Sequence, residues 1–192
     1  VKKLLKRDDI DVNLQNNIGD FALSLSIKLN NYDIVKKLLK RDDINLELKT
    51  NAGNNALGVA IALNNYDIFK KLLKKNDIDK LVINNDGNTL LIQAAIYEKK
   101  NNYKIFKKIL TEINEIDINS INNDGNTALI IAVDKNKDEI VDKLLERDNL
   151  NLDIKNNDNK NALIIAVQNN NYDIIRKLFS RNKIDETTKI YL

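Results

Sequence analysis

INNDGNT fills Ile83–Thr89 and recurs letter for letter at Ile121–Thr127, 38 positions on. The Gly inside it sets a period. Gly19 to Gly53 is 34 residues, Gly53 to Gly87 is 34, and Gly87 to Gly125 is 38. A further step of 34 lands on Asn159, in NNDNKNAL. Asn is the non-Gly residue that best tolerates positive φ, so a turn is expected there too. A second motif repeats in step: IVKKLLKRDDIN at Ile34–Asn45, IFKKLLKKNDID at Ile68–Asp79 and IFKKILTEIN at Ile105–Asn114. IVDKLLERDNLN at Ile140–Asn151, IIRKLFSRN at Ile174–Asn182 and VKKLLKRDDID at Val1–Asp11 are further copies. The chain therefore reads as one domain: a half-repeat over 1–15, then repeats over 16–49, 50–83, 84–121, 122–155 and 156–192, the last including a C-terminal tail.

Each unit spells turn, short helix, turn, short helix. In the fourth, Thr127 is a good N-cap and ALIIAV supplies a first, mostly apolar helix. Asn136 and Lys137 end it. A second helix, DEIVDKLL, sets Ile140, Val141, Leu144 and Leu145 on one face, with Asp138 and Glu139 in its first turn where the helix dipole favours acids. Asn55 and Asn161 stand in for Thr127 as N-caps; Phe21 cannot cap, which leaves Asp20 for the first unit. Two helices of about ten residues are too short to be stable alone in water. Stacking on like neighbours supplies the missing apolar surface, which is why the unit is copied.

The pattern N-N-D-G-N-T-A-L-x-x-A followed by I-V-x-x-L-L resembles the ankyrin repeat, D-x-x-G-x-T-P-L-H-x-A-A then G-x-x-x-I-V-x-x-L-L, from Val1 to about Asp185. The resemblance implies an all-α solenoid of stacked helix-turn-helix units with hairpin-like loops. Tetratricopeptide repeats share the 34-residue period but lack a DG-type hairpin between units. The departures are specific. The family's Pro is replaced by Ala22, Ala56, Leu90, Ala128 and Ala162, and its His by Ser24, Gly58, Ile92, Ile130 and Ile164, so aliphatic packing is expected to take over from the His hydrogen bonds. The Gly between helices becomes Asn30, Asn64, Asn136 and Asn170.

Composition narrows function. Lys+Arg is 31 against Asp+Glu 28, a formal net charge of +3, with no concentrated basic face of the kind nucleic acid demands. The longest apolar run, Ala56–Leu63, has eight residues, far short of a bilayer span. His and Cys are both absent, which removes the commonest general base, the commonest metal ligand and all thiol chemistry. No phosphate-binding Gly pattern occurs. An EF-hand register on Gly125 puts Ser120 at its first ligand and Ile131 at its last, so the NDG stretches are turns and not calcium loops. With no initial Met, the chain is expected to be a piece of a longer or processed protein.

No catalytic, cofactor-binding or metal residue is therefore assigned; no cofactor, nucleic acid, membrane insertion or small-molecule substrate is expected. The lysine pairs Lys36–Lys37, Lys70–Lys71 and Lys107–Lys108 read as a solvated face partly neutralised by Asp8–Asp9 and Asp42–Asp43. Tyr32, Tyr66, Tyr103 and Tyr172 share one slot and are expected to support the core with their hydroxyls wet.

In the family that the chain resembles, partners meet the hairpin tips and the concave ends of the first helices. Carried over, those columns give Leu29, Ala62, Leu63, Ile96, Tyr97 and Lys135 at helix ends, with Asp86, Asp124 and Asp158 at tips. Ala62, Leu63, Ile96 and Tyr97 form an apolar patch with an aromatic anchor, the kind of surface where binding energy concentrates. The third unit also carries three added residues around Glu98–Lys100. The expected function is a non-catalytic scaffold that binds another protein; the alternative is a spacer or docking arm within a larger protein.

Overall fold

A computed structural model of the chain describes residues 7, 9–97 and 102–181. Among the described residues there are ten α-helices and no strand, only an isolated antiparallel bridge between Ile83 and Thr89. Contacts divide the chain into two compact units, Val1–Ile116 and Asp117–Leu192. The first holds α1 (Ala22–Lys28), α2 (Tyr32–Leu38), α3 (Ala56–Ala62), α4 (Tyr66–Leu73), α5 (Leu90–Ile96) and α6 (Asn102–Glu112). The second holds α7 (Ala128–Asp134), α8 (Asp138–Leu145), α9 (Ala162–Gln168) and α10 (Tyr172–Arg181). The added residues around Glu98–Lys100, most of the N-terminal half-repeat and the C-terminal tail lie outside the described residues.

In the first unit α1, α3 and α5 stack as an inner row, each packed on its own partner α2, α4 or α6 in an outer row. Leu23, Ile27, Leu57, Ile61 and Leu91 of the inner row and Val35, Leu38, Phe69, Leu72 and Phe106 of the outer row are buried. In the second unit α7 packs on α8 and α9, and α10 on α8 and α9. There Ile130 is 2% exposed and Val133 0%, while their counterparts Ile164 and Val167 are 38% and 51% exposed. A unit buries these stations only when another lies against them, as expected of a module that cannot close its own core.

The heptapeptide can now be read residue by residue. Asn84 Oδ1 accepts from the backbone N–H of Asp86 and Asn88, folding the tip over its own side chain. Gly87 takes φ +76°, and its N–H donates to the Asn84 carbonyl at 3.0 Å. Asn85 donates backward to the preceding hairpin, through its backbone N–H to the Ala52 carbonyl at 3.1 Å and through Nδ2 to the Asn51 carbonyl at 2.8 Å. Thr89 Oγ1 caps α5 by accepting from Ile92 N–H. In the second unit Asn122, Gly125 and Thr127 repeat the tip, the turn and the cap, and Asn157 repeats the backward link. A Cβ on Gly125 would come 2.7 Å from Asn157 Oδ1, so that Gly is required by close approach as well as by its φ.

Asn159 adopts φ +61°, as expected of the residue replacing the fifth Gly. Asn30, Asn64, Asn136 and Asn170, which replace the Gly between helices, all lie at φ between +49° and +60°. The following residues, Asn31, Asn65, Lys137 and Asn171, donate N–H to the carbonyls of Ser26, Ala60, Ala132 and Ala166, closing each first helix with a left-handed C-cap. Asn55 and Asn161 cap α3 and α9 as expected.

Asp20 does not cap α1. It is buried, with Lys28 Nζ at 2.5 and 2.6 Å from its two oxygens, while Ser24 Oγ accepts from the Phe21 N–H at 2.9 Å. Aliphatic packing replaces the family's His only at Ile92 and Ile130, since Ser24 hydrogen-bonds and Ile164 is exposed. The tyrosine slot is graded: Tyr66 and Tyr103 are half-buried, whereas Tyr32 and Tyr172 are exposed.

Candidate protein-binding site

Leu29, Leu63 and Tyr97 hold one station, the C-cap of α1, α3 and α5, on three successive stacked helices. Leu29 is 76% exposed, and Leu63 and Tyr97 are half-buried. Ala62 and Ile96, the last helical residues of α3 and α5, are half-buried beside them. Left-handed Asn30 and Asn64 follow the caps of α1 and α3.

Tyr97 departs from the pattern. Leu29 and Leu63 have ψ near zero, but Tyr97 is extended at ψ 137°, and Asn102 Nδ2 donates to its carbonyl at 2.6 Å. Burial raises the Tyr97 hydroxyl above the ordinary tyrosine range, and the negative charge of Asp86 raises it further. The charge of an exposed hairpin tip is thus felt at the aromatic anchor. Together these side chains offer apolar contact, a hydroxyl and a carboxylate.

The remaining expected contact residues lie in the second unit. Asp124 and Asp158 are exposed at two successive hairpin tips, and Asn157 N–H donates to the Asp124 carbonyl at 3.0 Å. Lys135 is the exposed C-cap of α7. Leu29, Ala62, Leu63, Asp86, Ile96 and Tyr97 share the first unit, whereas Asp124, Lys135 and Asp158 share the second. Two further aliphatic side chains are exposed: Ile18, which the register places first in the hairpin-tip column, and Leu25, one turn before Leu29 on α1, which the sequence did not single out. The tip counterpart Ala52 is exposed as well, whereas Val59, the counterpart of Leu25, is buried, and nothing in the sequence marks that difference.

The charge pattern differs from expectation as well. Asp43 and Asp9 do not neutralise the lysine pairs; each is held by an arginine two residues earlier, Arg41 and Arg7. Asp8 lies outside the described residues. Among the described residues, no helix is long and apolar enough to cross a membrane.

The family model for ankyrin repeats (three copies) matches residues 1–84 and 91–189. None of the curated proteins matches the sequence significantly. Among solved structures, the chain is similar to the complex of the Bd0816 predatory endopeptidase from Bdellovibrio bacteriovorus with immunity protein Bd3460. That match is 32% identical, covers 94% of this chain and 91% of that chain, and has a TM-score of 0.80. Paired helices, tips turned on positive-φ Gly or Asn and a match along nearly the whole length agree: the chain belongs to the ankyrin-repeat family.

Proposed function

We propose that this chain is a non-catalytic module that captures a protein partner on its first-helix caps and hairpin tips. In the first unit the contact residues are Leu29, Ala62, Leu63, Asp86, Ile96 and Tyr97; in the second, Asp124, Lys135 and Asp158 add polar contacts. The observation that carries the reading is the cap station, where Leu29 stands 76% exposed in line with Leu63 and Tyr97. An apolar row running from Leu29 through Leu63 to Tyr97, with the acid Asp86 near its aromatic end, matches the make-up of an interface core with a polar rim. The solved relative supports a partner class: its structure is a complex of an immunity protein with an endopeptidase, so a peptidase is the first partner to seek.

Affinity capture from the native source, followed by titration of the captured protein, tests this. The double variant Leu63→Ala/Tyr97→Ala is expected to bind at least tenfold more weakly, about 1.4 kcal/mol. Unchanged affinity would remove the site, and a captured partner without peptidase activity would remove the partner class.

A further inference from the structure

The outer helices of the two units differ in charge. In the first unit α2, α4 and α6 carry seven lysines against three acids. In the second, α8 and α10 carry four basic residues against four acids, and the cations are engaged: Lys143 with Glu146, Arg176 with Asp173, and Lys177 with Asp138 and Asp142. Of the seven lysines, only Lys108 has an ion pair among the described residues, with Glu112. After α2, Asp43 does not serve them either, because Arg41 takes it. The near-neutral balance of the whole chain conceals a lysine face confined to one unit.

That face is not flat. An open groove of about 600 Å³ runs from Asn30 and the start of α2 along α4 as far as its C-cap, Lys74. Lys70, Lys71 and Lys74 line it, with Tyr32, Ile68 and Asp67. Three ammonium groups without carboxylate partners call for an anionic ligand. The ring of Tyr32 offers a seat for an apolar side chain. Asp67 decides between polyanions. A peptide backbone brings an N–H donor at almost every residue that a carboxylate can accept, whereas a DNA backbone has none and would be repelled.

From this juxtaposition we infer that the α2–α4 groove docks an acidic protein segment. The segment's carboxylates pair with Lys70, Lys71 and Lys74, and one of its apolar side chains rests on Tyr32. The groove begins at Asn30, the residue after the Leu29 cap, but none of the cap-station side chains lines it, so the chain has two adjoining docking faces.

Fluorescence anisotropy with a labelled dodecapeptide of Glu-Asp-Leu triplets provides the test. The peptide should bind, weaken with added salt, and lose at least tenfold in affinity to Lys70→Glu/Lys71→Glu/Lys74→Glu. The corresponding Lys→Gln triple variant should show an intermediate loss, and Tyr32→Ala a smaller one. Arg176→Glu, on the outer face of the other unit, and Leu63→Ala, at the cap station, should leave binding unchanged. Circular dichroism establishes that each variant is folded. The proposal fails if the peptide does not bind, or if a Gln-Asn-Leu counterpart binds equally well. It also fails if the lysine variants bind as the wild type does, or if an oligothymidylate of equal length binds this groove more tightly than the peptide. Loss of binding in Leu63→Ala alone would instead return the peptide to the cap station.

Discussion

Asn85 Nδ2 donates to the Asn51 carbonyl at 2.8 Å, tying one hairpin to the one before it. Asn157 makes the same bond to the Asn123 carbonyl at 2.9 Å in the other unit. Asn171 and Asn65 link neighbouring repeats in the same way at the turns between helices, to Asn136 Oδ1 and the Ile27 carbonyl. Much of the asparagine in this chain is therefore bonding material between copies.

Replacing Asn85 with Ala should cost about 1 kcal/mol, the net worth of one such bond. Replacing it with Asp, which puts an acceptor opposite the carbonyl, should cost more. Urea unfolding followed by circular dichroism checks the order, and equal midpoints for Asn85→Ala and wild type would show that water replaces the bond without loss.

Gly58 sits inside α3 beneath two buried amide oxygens, Asn54 Oδ1 and Gln93 Oε1, neither of which has a hydrogen-bond partner. In the preceding repeat the same station holds Ser24, whose hydroxyl donates to the Phe21 carbonyl. A serine Cβ would meet Asn54 Oδ1 at 2.7 Å, but that oxygen ends a rotatable amide; once it swings aside, better helix propensity and a new donor for an unsatisfied oxygen should leave Gly58→Ser more stable by about 1 kcal/mol. The melting temperature should rise by roughly 2–4 °C. Gly58→Val should lower it, because Asn54 Oδ1 lies 2.7 Å from the position of a Cβ and a branched side chain demands more room.

Lys28 reaches from the end of α1 to the Asp20 carboxylate, whose side chain is only 2% exposed. Removing one partner of a fully buried pair costs roughly 3–5 kcal/mol. The Lys28 side chain is 43% exposed, so solvent screens part of this and Lys28→Met should cost about 1–2 kcal/mol. Adding Asp20→Asn should recover most of the loss, since Asn54 and Asn88 hold that station in the next two repeats. A double-mutant cycle in urea measures the coupling, and additive effects would contradict it.

The side-chain hydrogen bond from Arg41 holds the Asp43 carboxyl below its ordinary value. Arg41 also donates to the Arg7 carbonyl at 2.9 Å, so the pair braces the preceding turn. A carboxyl whose folded value is depressed contributes stability above its unfolded value, near pH 4 by the usual carboxylate range, and loses it as pH falls through the lower folded value. Melting curves from pH 6 to pH 2 should show Asp43→Asn less stable than wild type at pH 6 and the gap closing with acid. A gap that stays constant would exclude the linkage.

The period, the helix pairs and the positive-φ turns were legible because each rests on local chemistry: Gly or Asn at a fixed step, a cap, an apolar stripe. Asp20 was misread for the same reason. The residue before Phe21 looks like a cap, and only three-dimensional proximity reveals Lys28 as its partner. The lysines were misread because neighbouring acids in the sequence suggested neutralisation, while the geometry gives Asp43 to Arg41. The cap column could be listed from the register, but the exposure of Leu29, Ile18 and Leu25 depends on how closely each neighbour packs, and no single unit encodes that.

The Asn51–Asn85 joint has an evolutionary corollary. Both halves of the fastener come from the same slot of the unit, so a slip of the replication machinery that drops or doubles a whole unit still leaves every hairpin with a mate. Such a protein can change length in a single genetic event and remain foldable, whereas a fold with dissimilar seams would need compensating substitutions on both sides of the cut.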